Sequence, residues 1–80
     1  MKLEIITPEK KLFDGQVKLV QVPGTSGSFE VMKNHAPIIS TLTQGKIKVI
    51  TEQGIEEFFE IKSGIIEVKA NFISILAVTS

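Results

Sequence analysis

The alternation of apolar and polar residues is the feature that most constrains the fold of this chain. In residues 46–51 the apolar Ile47 and Val49 alternate with Lys46 and Lys48, and successive side chains of a β-strand point to opposite faces. β-Branched Ile, Val and Thr dominate the same kind of segment along the chain, and these residues favour strands. The sequence therefore predicts an all-β protein with essentially no helix.

Turn residues divide the chain into short predicted strands. Predicted turns and loops lie at Asp14-Gly15, after a short strand at Lys11–Phe13, and at Pro23–Gly27, Asn34–Pro37, Gln53-Gly54 and Ala70-Asn71. Val17 and Leu19 lie on one face of a strand but Val20 and Val22 on the other, which predicts a bulge or a strand buried on both sides. Residues 55–62 also fit a helical face, but so short a segment favours a strand. This pattern predicts a β-sandwich or barrel that fills residues 1–80 as a single domain.

Size and charge exclude several classes of function. The chain has 80 residues and no cysteine, so one core without disulfides must hold the fold, as suits a reducing compartment. Its nine basic residues are all lysine and balance nine acidic ones, whereas a nucleic-acid module usually has a basic stripe with arginine. No apolar run is long enough for a signal peptide or a membrane span. We therefore expect a cytosolic protein that binds no nucleic acid and reaches a membrane only through a partner.

The inventory of reactive side chains is small. His35 is the one histidine and Asp14 the one aspartate, and Cys, Tyr, Trp and Arg are missing. His35 lies between Asn34 and Pro37 in a predicted turn, so a structural histidine is favoured over a general base. Three glutamates at 56, 57 and 60 fit the solvated side of an edge strand better than a carboxylate pair. The sequence predicts no catalytic site, no metal site and no cofactor.

Met32-Lys33 raises an alternative function. Small all-β carrier domains present a lysine beside methionine at a hairpin tip, where biotin or a related group is attached. Here Asn34 follows the lysine instead of a second methionine, and Pro37 cannot donate a hydrogen bond to a returning strand. A biotinyl or lipoyl-like carrier with Lys33 as its attachment site remains the second hypothesis.

Apolar residues exceed what one face of each strand can bury. If Val49 and Ile61 face inward, their alternating neighbours Ile50 and Phe58 point outward. Further outward apolar residues are expected at Ile6, at Ile65 and at either Ile73 or Leu76. Either a second sheet covers these residues or they form a protein interface. From the residues alone, a binding module is the best class.

Several short motifs occur in the order and spacing typical of one known family. They are Thr7-Pro8-Glu9-Lys10 with Leu12-Phe13-Asp14-Gly15, Val20-Gln21-Val22-Pro23-Gly24, Gly27 with Phe29, Asn34-His35-Ala36-Pro37, Leu42 with Gly45, Gly64-Ile65-Ile66-Glu67-Val68 and Ile75-Leu76-Ala77. The His-Ala-Pro sequence after the glycine-rich loop is the most distinctive. On these residues the chain resembles, over its whole length, the epsilon subunit of bacterial F-type ATP synthase, called delta in mitochondria.

The resemblance implies a β-sandwich of two five-stranded sheets and a non-catalytic role in the central stalk, or rotor. Such subunits bind the gamma subunit, sit on the ring of c subunits and couple rotation to ATP synthesis in a proton-translocating complex. The implied location is the cytoplasmic face of the bacterial inner membrane, as a peripheral part of the complex without direct insertion.

The resemblance also implies interface residues. The loop Gly27-Ser28-Phe29-Glu30 is expected to meet the polar loops of the c-ring, with Ser28 and Glu30 in a stretch that is often acidic in the family. The expected gamma interface comprises Thr7, His35 and Ser40 together with the outward Ile50 and Phe58. Family members commonly continue into a two-helix C-terminal domain that restrains ATP hydrolysis. The sequence stops at Thr79-Ser80, so neither that restraint nor nucleotide binding by those helices is expected.

Overall fold

The computed structural model describes residues 1–79, and its regular elements are all strands. They are β1 (Lys2–Ile6), β2 (Lys11–Gly24), β3 (Gly27–Met32), β4 (Ile38–Leu42), β5 (Gly45–Thr51), β6 (Glu56–Ile61), β7 (Ser63–Lys69) and β8 (Phe72–Val78). The predicted all-β fold class is confirmed, and the ambiguous segment before residue 62 is a strand, as predicted.

The strands pack as two layers that share β2. The first half of β2 pairs with β1, and the order β4-β7-β8-β1-β2 completes the first layer. The second half of β2 pairs with β3 on one side and β5 on the other, and β6 follows β5. All these pairs are antiparallel except β1 with β8, which places the first strand beside the last. Because β2 runs through both layers, hydrogen bonds connect the whole sandwich.

The strand count differs from the two five-stranded sheets that the resemblance implies. Eight strands form one hydrogen-bonded sheet, and by the pairings given above the first layer has five strands and the second has four, with β2 counted in each. One of the two missing strands is explained by the length of β2, whose 14 residues reach across both layers and supply a strand to each. The sandwich itself is as predicted.

The core lies between the two layers and consists of aliphatic side chains. The fully buried members with the largest side chains are Leu3, Ile5, Ile47, Ile66, Ile73 and Ile75, together with Val17, Val20, Val22, Val31 and Val49. Burial alternates along β8 as buried Ile73, half-buried Ser74, buried Ile75 and exposed Leu76. Period-two alternation therefore decides which side chains enter the core.

The predicted turn at Asp14-Gly15 is wrong, because β2 continues through both residues. Asp14 lies opposite Glu4 of β1, and its carboxylate forms ion pairs with Lys2 at 3.0 Å and with Lys11 at 3.1 Å. Pairing with β1 thus stabilises the extended strand at these residues, although the Asp-Gly dipeptide by itself favours a turn.

The predicted loop at Pro23–Gly27 is shorter than expected. β2 extends to Gly24, so Thr25 and Ser26 alone connect it to β3. The carbonyl oxygen of Pro23 accepts a hydrogen bond from the amide of Thr43 at 2.8 Å. The missing amide of proline is harmless here, because this position faces away from β3 and towards the β4–β5 connection.

Other local predictions are confirmed. The register of β2 against β5 shifts between Val17 and Leu19, as expected of the predicted bulge. Gly54 adopts φ +85° in the β5–β6 turn, a conformation that favours glycine. The β7–β8 hairpin turns at Ala70-Asn71, where Ala70 has φ 55° without being glycine.

Candidate functional site

Two apolar surfaces lie on the outer sides of the two layers. We call the first the β7–β8 face and define it by Ile6, Ile65, Leu76 and Val78. We call the second the β5–β6 face and define it by Leu19, Met32, Ile50 and Phe58. Because the two layers pack against each other through their inner sides, the two outer faces point in opposite directions. The outward apolar residues predicted from the sequence are therefore present, but they do not form one surface.

The β7–β8 face is a shallow groove. Thr41, Ile65, Leu76 and Ile6 are direct cross-strand neighbours over β4, β7, β8 and β1. With Val78 and adjoining residues they line a space of about 670 Å³. Leu76 is 55% exposed, whereas Ile73 is fully buried. Of the two alternatives predicted, Leu76 is therefore the outward residue.

The β5–β6 face borders charged residues. Met32 and Ile50 both lie opposite Leu19, on β3 and β5. Phe58 is 55% exposed, while Val49 and Ile61 are buried on the inner side. The outward orientation of Phe58 is confirmed, and Ile50 lies on the same face but is half-buried.

A row of side chains crosses the second layer and links Phe58 to β3. Glu30, Gln21, Lys48 and Phe58 are successive cross-strand neighbours over β3, β2, β5 and β6. Three inter-strand steps of about 4.8 Å separate the ends of this row by roughly 14 Å. The residue expected at the c-ring and one residue expected at gamma thus share one outer surface.

Comparison with known proteins identifies the family. A family model described as the β-sandwich domain of the ATP synthase delta/epsilon chain matches residues 1–80. The chain belongs to this family. The ATP synthase epsilon chain of Chlorobium limicola is 41% identical over 70 residues, which cover 88% of this chain and 80% of that relative.

Two solved structures share the fold of this delta/epsilon-type chain. One is the mitochondrial ATP synthase of Euglena gracilis, resolved as OSCP, F1 and c-ring, with a TM-score of 0.86 and 19% identity over 95% of this chain. The other is the central stalk and c-ring of the Tetrahymena thermophila mitochondrial enzyme, with a TM-score of 0.79 and 20% identity over 98% of this chain. The chain spans 49% and 63% of the length of those two chains.

The five residues expected toward gamma fall in different places on the delta/epsilon-type fold. Ile50 and Phe58 lie on the β5–β6 face. Thr7 is 6% exposed, and its Oγ1 donates to the Lys10 carbonyl at 2.9 Å and accepts from the Lys10 amide at 3.1 Å. Ser40 is half-buried on β4, opposite the buried Ile66. The geometry brings Thr7 and Ser40 to the first layer, away from Ile50 and Phe58.

His35 occupies the predicted turn between β3 and β4. Its Nδ1 lies 2.7 Å from the carbonyl oxygen of Ala36, and its amide donates to the carbonyl of Met32 at 3.1 Å. Both contacts are local to the turn. They fit a structural histidine, as predicted, and supply no carboxylate partner for general-base chemistry.

The four residues expected at the c-ring form the beginning of β3. Gly27 has φ 129° and follows the Thr25-Ser26 turn. Ser28 and Glu30 are exposed on the outer face, and the Ser28 hydroxyl accepts from Gln21 at 3.3 Å. Phe29 points the other way and packs against the core. Ser28 and Glu30 therefore place polar groups on the outer face, whereas Phe29 anchors the strand that carries them to the core.

One charged cluster lies beside the β7–β8 face. The ammonium group of Lys11 contacts Glu4 at 3.4 Å and Asp14 at 3.1 Å, and Lys2 contacts Asp14 at 3.0 Å. Hydrogen bonds from Lys2 and then Lys11 hold the pKa of Asp14 below its usual value. Hydrogen bonds to Asp14 and then Glu4 raise the pKa of Lys11. The cluster neutralises itself, because Lys11 bridges the two carboxylates and Lys2 adds a second contact to Asp14.

The structure does not place the other candidate sites where they would be needed. Within residues 1–79, no group of three or more His, Asp or Glu side chains is arranged to hold a metal ion. The same residues contain no helix with the length and hydropathy to cross a membrane. Lys33 lies between β3 and β4, which do not pair with each other. The hairpin-tip position on which the carrier hypothesis depends is therefore wrong.

Leu19 and Met32 were not predicted as members of an outer apolar surface. Their alternation with Val20 and Val31 assigns each of them to a face of its own strand. Only the pairing of Leu19 with Met32 and Ile50 joins the three into one surface. The alternation that turns each residue outward can be read within its own strand. The pairing that brings the strands together cannot be read from the sequence.

Proposed function

We propose that this chain is a non-catalytic rotor subunit of an F-type, proton-translocating ATP synthase, where it links the gamma subunit to the c-ring and transmits rotation. The observation that carries the proposal is the family match over residues 1–80. The name of the Chlorobium limicola relative and the central-stalk structures that share the fold support it. In a bacterial cell the complex would hold the chain at the cytoplasmic face of the inner membrane.

The β5–β6 face is proposed to bind gamma through Ile50 and Phe58. An exposed aromatic residue beside aliphatic neighbours is the kind of anchor that dominates protein interfaces. Thr7 acts indirectly by fixing the β1–β2 turn. His35 lies in the turn before β4, and Ser40 lies in the middle of that strand. Ser28 and Glu30 present the polar contact to the c-ring, from the same outer surface as Phe58.

The two faces give a matched test, because Phe58 and Leu76 are each 55% exposed. Phe58→Glu and Leu76→Glu each place a charge on one outer face. A pull-down with purified gamma should show binding weakened by about tenfold or more for Phe58→Glu, with Leu76→Glu close to the unsubstituted chain. A thermal melt of each variant checks that the fold is intact.

The opposite pattern would move the gamma contact to the β7–β8 face. If neither charge changes binding, or if the unsubstituted chain does not bind gamma, the proposed interface is wrong. Mass spectrometry after exposure to a biotin ligase tests the carrier alternative, since modification of Lys33 would support it.

A further inference from the structure

Strand β6 forms a free edge of the second layer. Among the described residues it pairs with β5 alone. The amide of Thr51 donates to the carbonyl of Ile55 at 2.9 Å. Ile55 and every second residue after it, Glu57 and Phe59, therefore turn their backbone groups toward β5. Backbone groups of an antiparallel strand alternate in direction. Those of Glu56, Phe58 and Glu60 therefore point away from β5, where no strand of residues 1–79 meets them.

The side chains of the same three residues lie on the outer face, next to these free backbone groups. Phe58 stands between Glu56 and Glu60, and β6 contains no basic residue. Glu56 is 3.8 Å from Lys48. Glu60 lies opposite Lys46 of β5 but forms no ion pair within the described residues. The edge thus offers unpaired amides and carbonyls, an apolar side chain and negative charge in a fixed order.

The charge decides what kind of strand fits this edge. A second copy of β6 would set glutamate against glutamate, and like charges on directly opposite strand positions are destabilising. Acidic residues on an edge strand protect against such self-pairing. A strand with lysine or arginine opposite Glu56 and Glu60 would instead be attracted, and main-chain hydrogen bonds would give it affinity.

We propose that the free edge of β6 accepts an extended segment of the gamma subunit with the pattern basic–x–apolar–x–basic, which adds a strand to the second layer. The proposal rests on the proposed function, since it names how the same partner is held. The apolar residue of that segment would lie beside Phe58, so the added strand would continue the β5–β6 face.

Amide hydrogen exchange tests the added strand directly. Exchange at single residues is measured by NMR on the labelled chain, free and with purified gamma. We expect binding to slow the exchange of the Phe58 and Glu60 amides at least tenfold, because they would gain partners. The amides of Glu57 and Phe59 already face β5 and serve as internal controls. If gamma binds and the Phe58 and Glu60 amides exchange as in the free chain, the added strand is excluded.

A proline substitution provides the second test. Glu60→Pro removes an outward amide and a charge without removing a hydrogen bond to β5. Glu60→Gln is the matched control, because it removes the same charge and keeps the outward amide. We expect gamma to bind Glu60→Pro about tenfold more weakly than Glu60→Gln, with thermal melts confirming both folds.

Three further outcomes are decisive. Equal binding by Glu60→Pro and the unsubstituted chain would overturn the proposal. The glutamates of β6 would then serve only to prevent pairing of this edge with a second copy of itself. Equal loss of binding in Glu60→Gln and Glu60→Pro would assign the effect to charge alone and overturn it as well. Absence of gamma binding by the unsubstituted chain would instead overturn the proposed function, so the two failures are distinguishable.

Discussion

The two outer faces of the sandwich are similar in apolar content and differ in how their charges are balanced. Beside the β7–β8 face, Lys2 and Lys11 neutralise Glu4 and Asp14 across neighbouring strands. On the β5–β6 face Lys48 pairs with Glu56, whereas Glu60 lies opposite Lys46 without forming an ion pair within the described residues. A self-neutralised surface gains little electrostatic energy from a partner, whereas an unbalanced edge attracts a charge of opposite sign. This difference favours the β5–β6 face as the binding surface.

The largest expected effect separates the core from the outer face on a single strand. Ile75 is fully buried and its neighbour Leu76 is 55% exposed. Ile75→Ala should lower the free energy of unfolding by about 2–5 kcal/mol, because it removes buried methylene groups and leaves a cavity. Leu76→Ala should change it by less than about 0.5 kcal/mol. Urea denaturation measures both, and a cost at Leu76 comparable to that at Ile75 would show that the β7–β8 face is part of the core.

The second prediction concerns close packing in the layer behind the β7–β8 face. A Cβ atom added at Gly64 would lie 2.7 Å from the backbone carbonyl oxygen of Leu76. Gly64→Ala should therefore destabilise the fold by about 1–3 kcal/mol. Gly15→Ala is the control in the same layer, because its added Cβ would lie at an ordinary 3.5 Å from the ring of Phe13. Equal stability of the two variants would mean that β7 and β8 can move apart at little cost.

The third prediction concerns the turn that aligns β6 with β5. Thr51 is 8% exposed, and its Oγ1 accepts a hydrogen bond from the amide of Ile55 at 3.1 Å. Thr51→Val should reduce the free energy of unfolding by about 1 kcal/mol, because the Ile55 amide loses its acceptor. Thr43→Val, at an exposed position, is the control and should be neutral. If proposed strand addition depends on this alignment, Thr51→Val should also weaken gamma binding.

The smallest expected effect tests the balanced charges beside the β7–β8 face. The pKa of Asp14 is lowered in the folded chain, so its contribution to stability is present above the unfolded pKa of about 3.9. That contribution is lost as the pH falls from there through the folded pKa. Below roughly pH 4, the melting temperature of Asp14→Asn should therefore fall less steeply with acid than that of the unsubstituted chain.

Added salt should reduce this difference, because the groups are exposed and screened. A melting temperature of the unsubstituted chain that falls no more steeply with acid than that of Asp14→Asn would show that the cluster does not stabilise the fold.

Local patterns predicted the elements better than their extent. The β5–β6 hairpin followed from alternation and Gly54, and β6 was correctly assigned as a strand. The sequence predicts a turn at Asp14-Gly15, two residues of low strand propensity, yet pairing with Glu4 and Leu3 of β1 keeps them in β2. Propensity is a property of a few neighbouring residues, and it does not include partners that are distant in the chain.

The candidate site was predicted in part for the same reason. Ile50, Phe58 and Ile65 were expected to point outward, and they do. Of the alternatives Ile73 and Leu76, the outward residue is Leu76. Their division into two opposite surfaces could not be predicted, because it depends on which layer each strand joins. The roles of Ser28 and Glu30 at the c-ring and of Ile50 and Phe58 at gamma remain predictions, which the binding measurements above can test.

The sequence by itself determined the strand class, the inward or outward side of most residues and the family of the chain. Those properties are encoded with a period of two residues or in short motifs, so they can be read locally. The tertiary structure alone decided that β2 serves both layers, that Leu19 meets Met32 and Ile50, and that β6 keeps a free edge. Each of these depends on hydrogen bonds between strands far apart in the chain, and alternation specifies a face without specifying a neighbour.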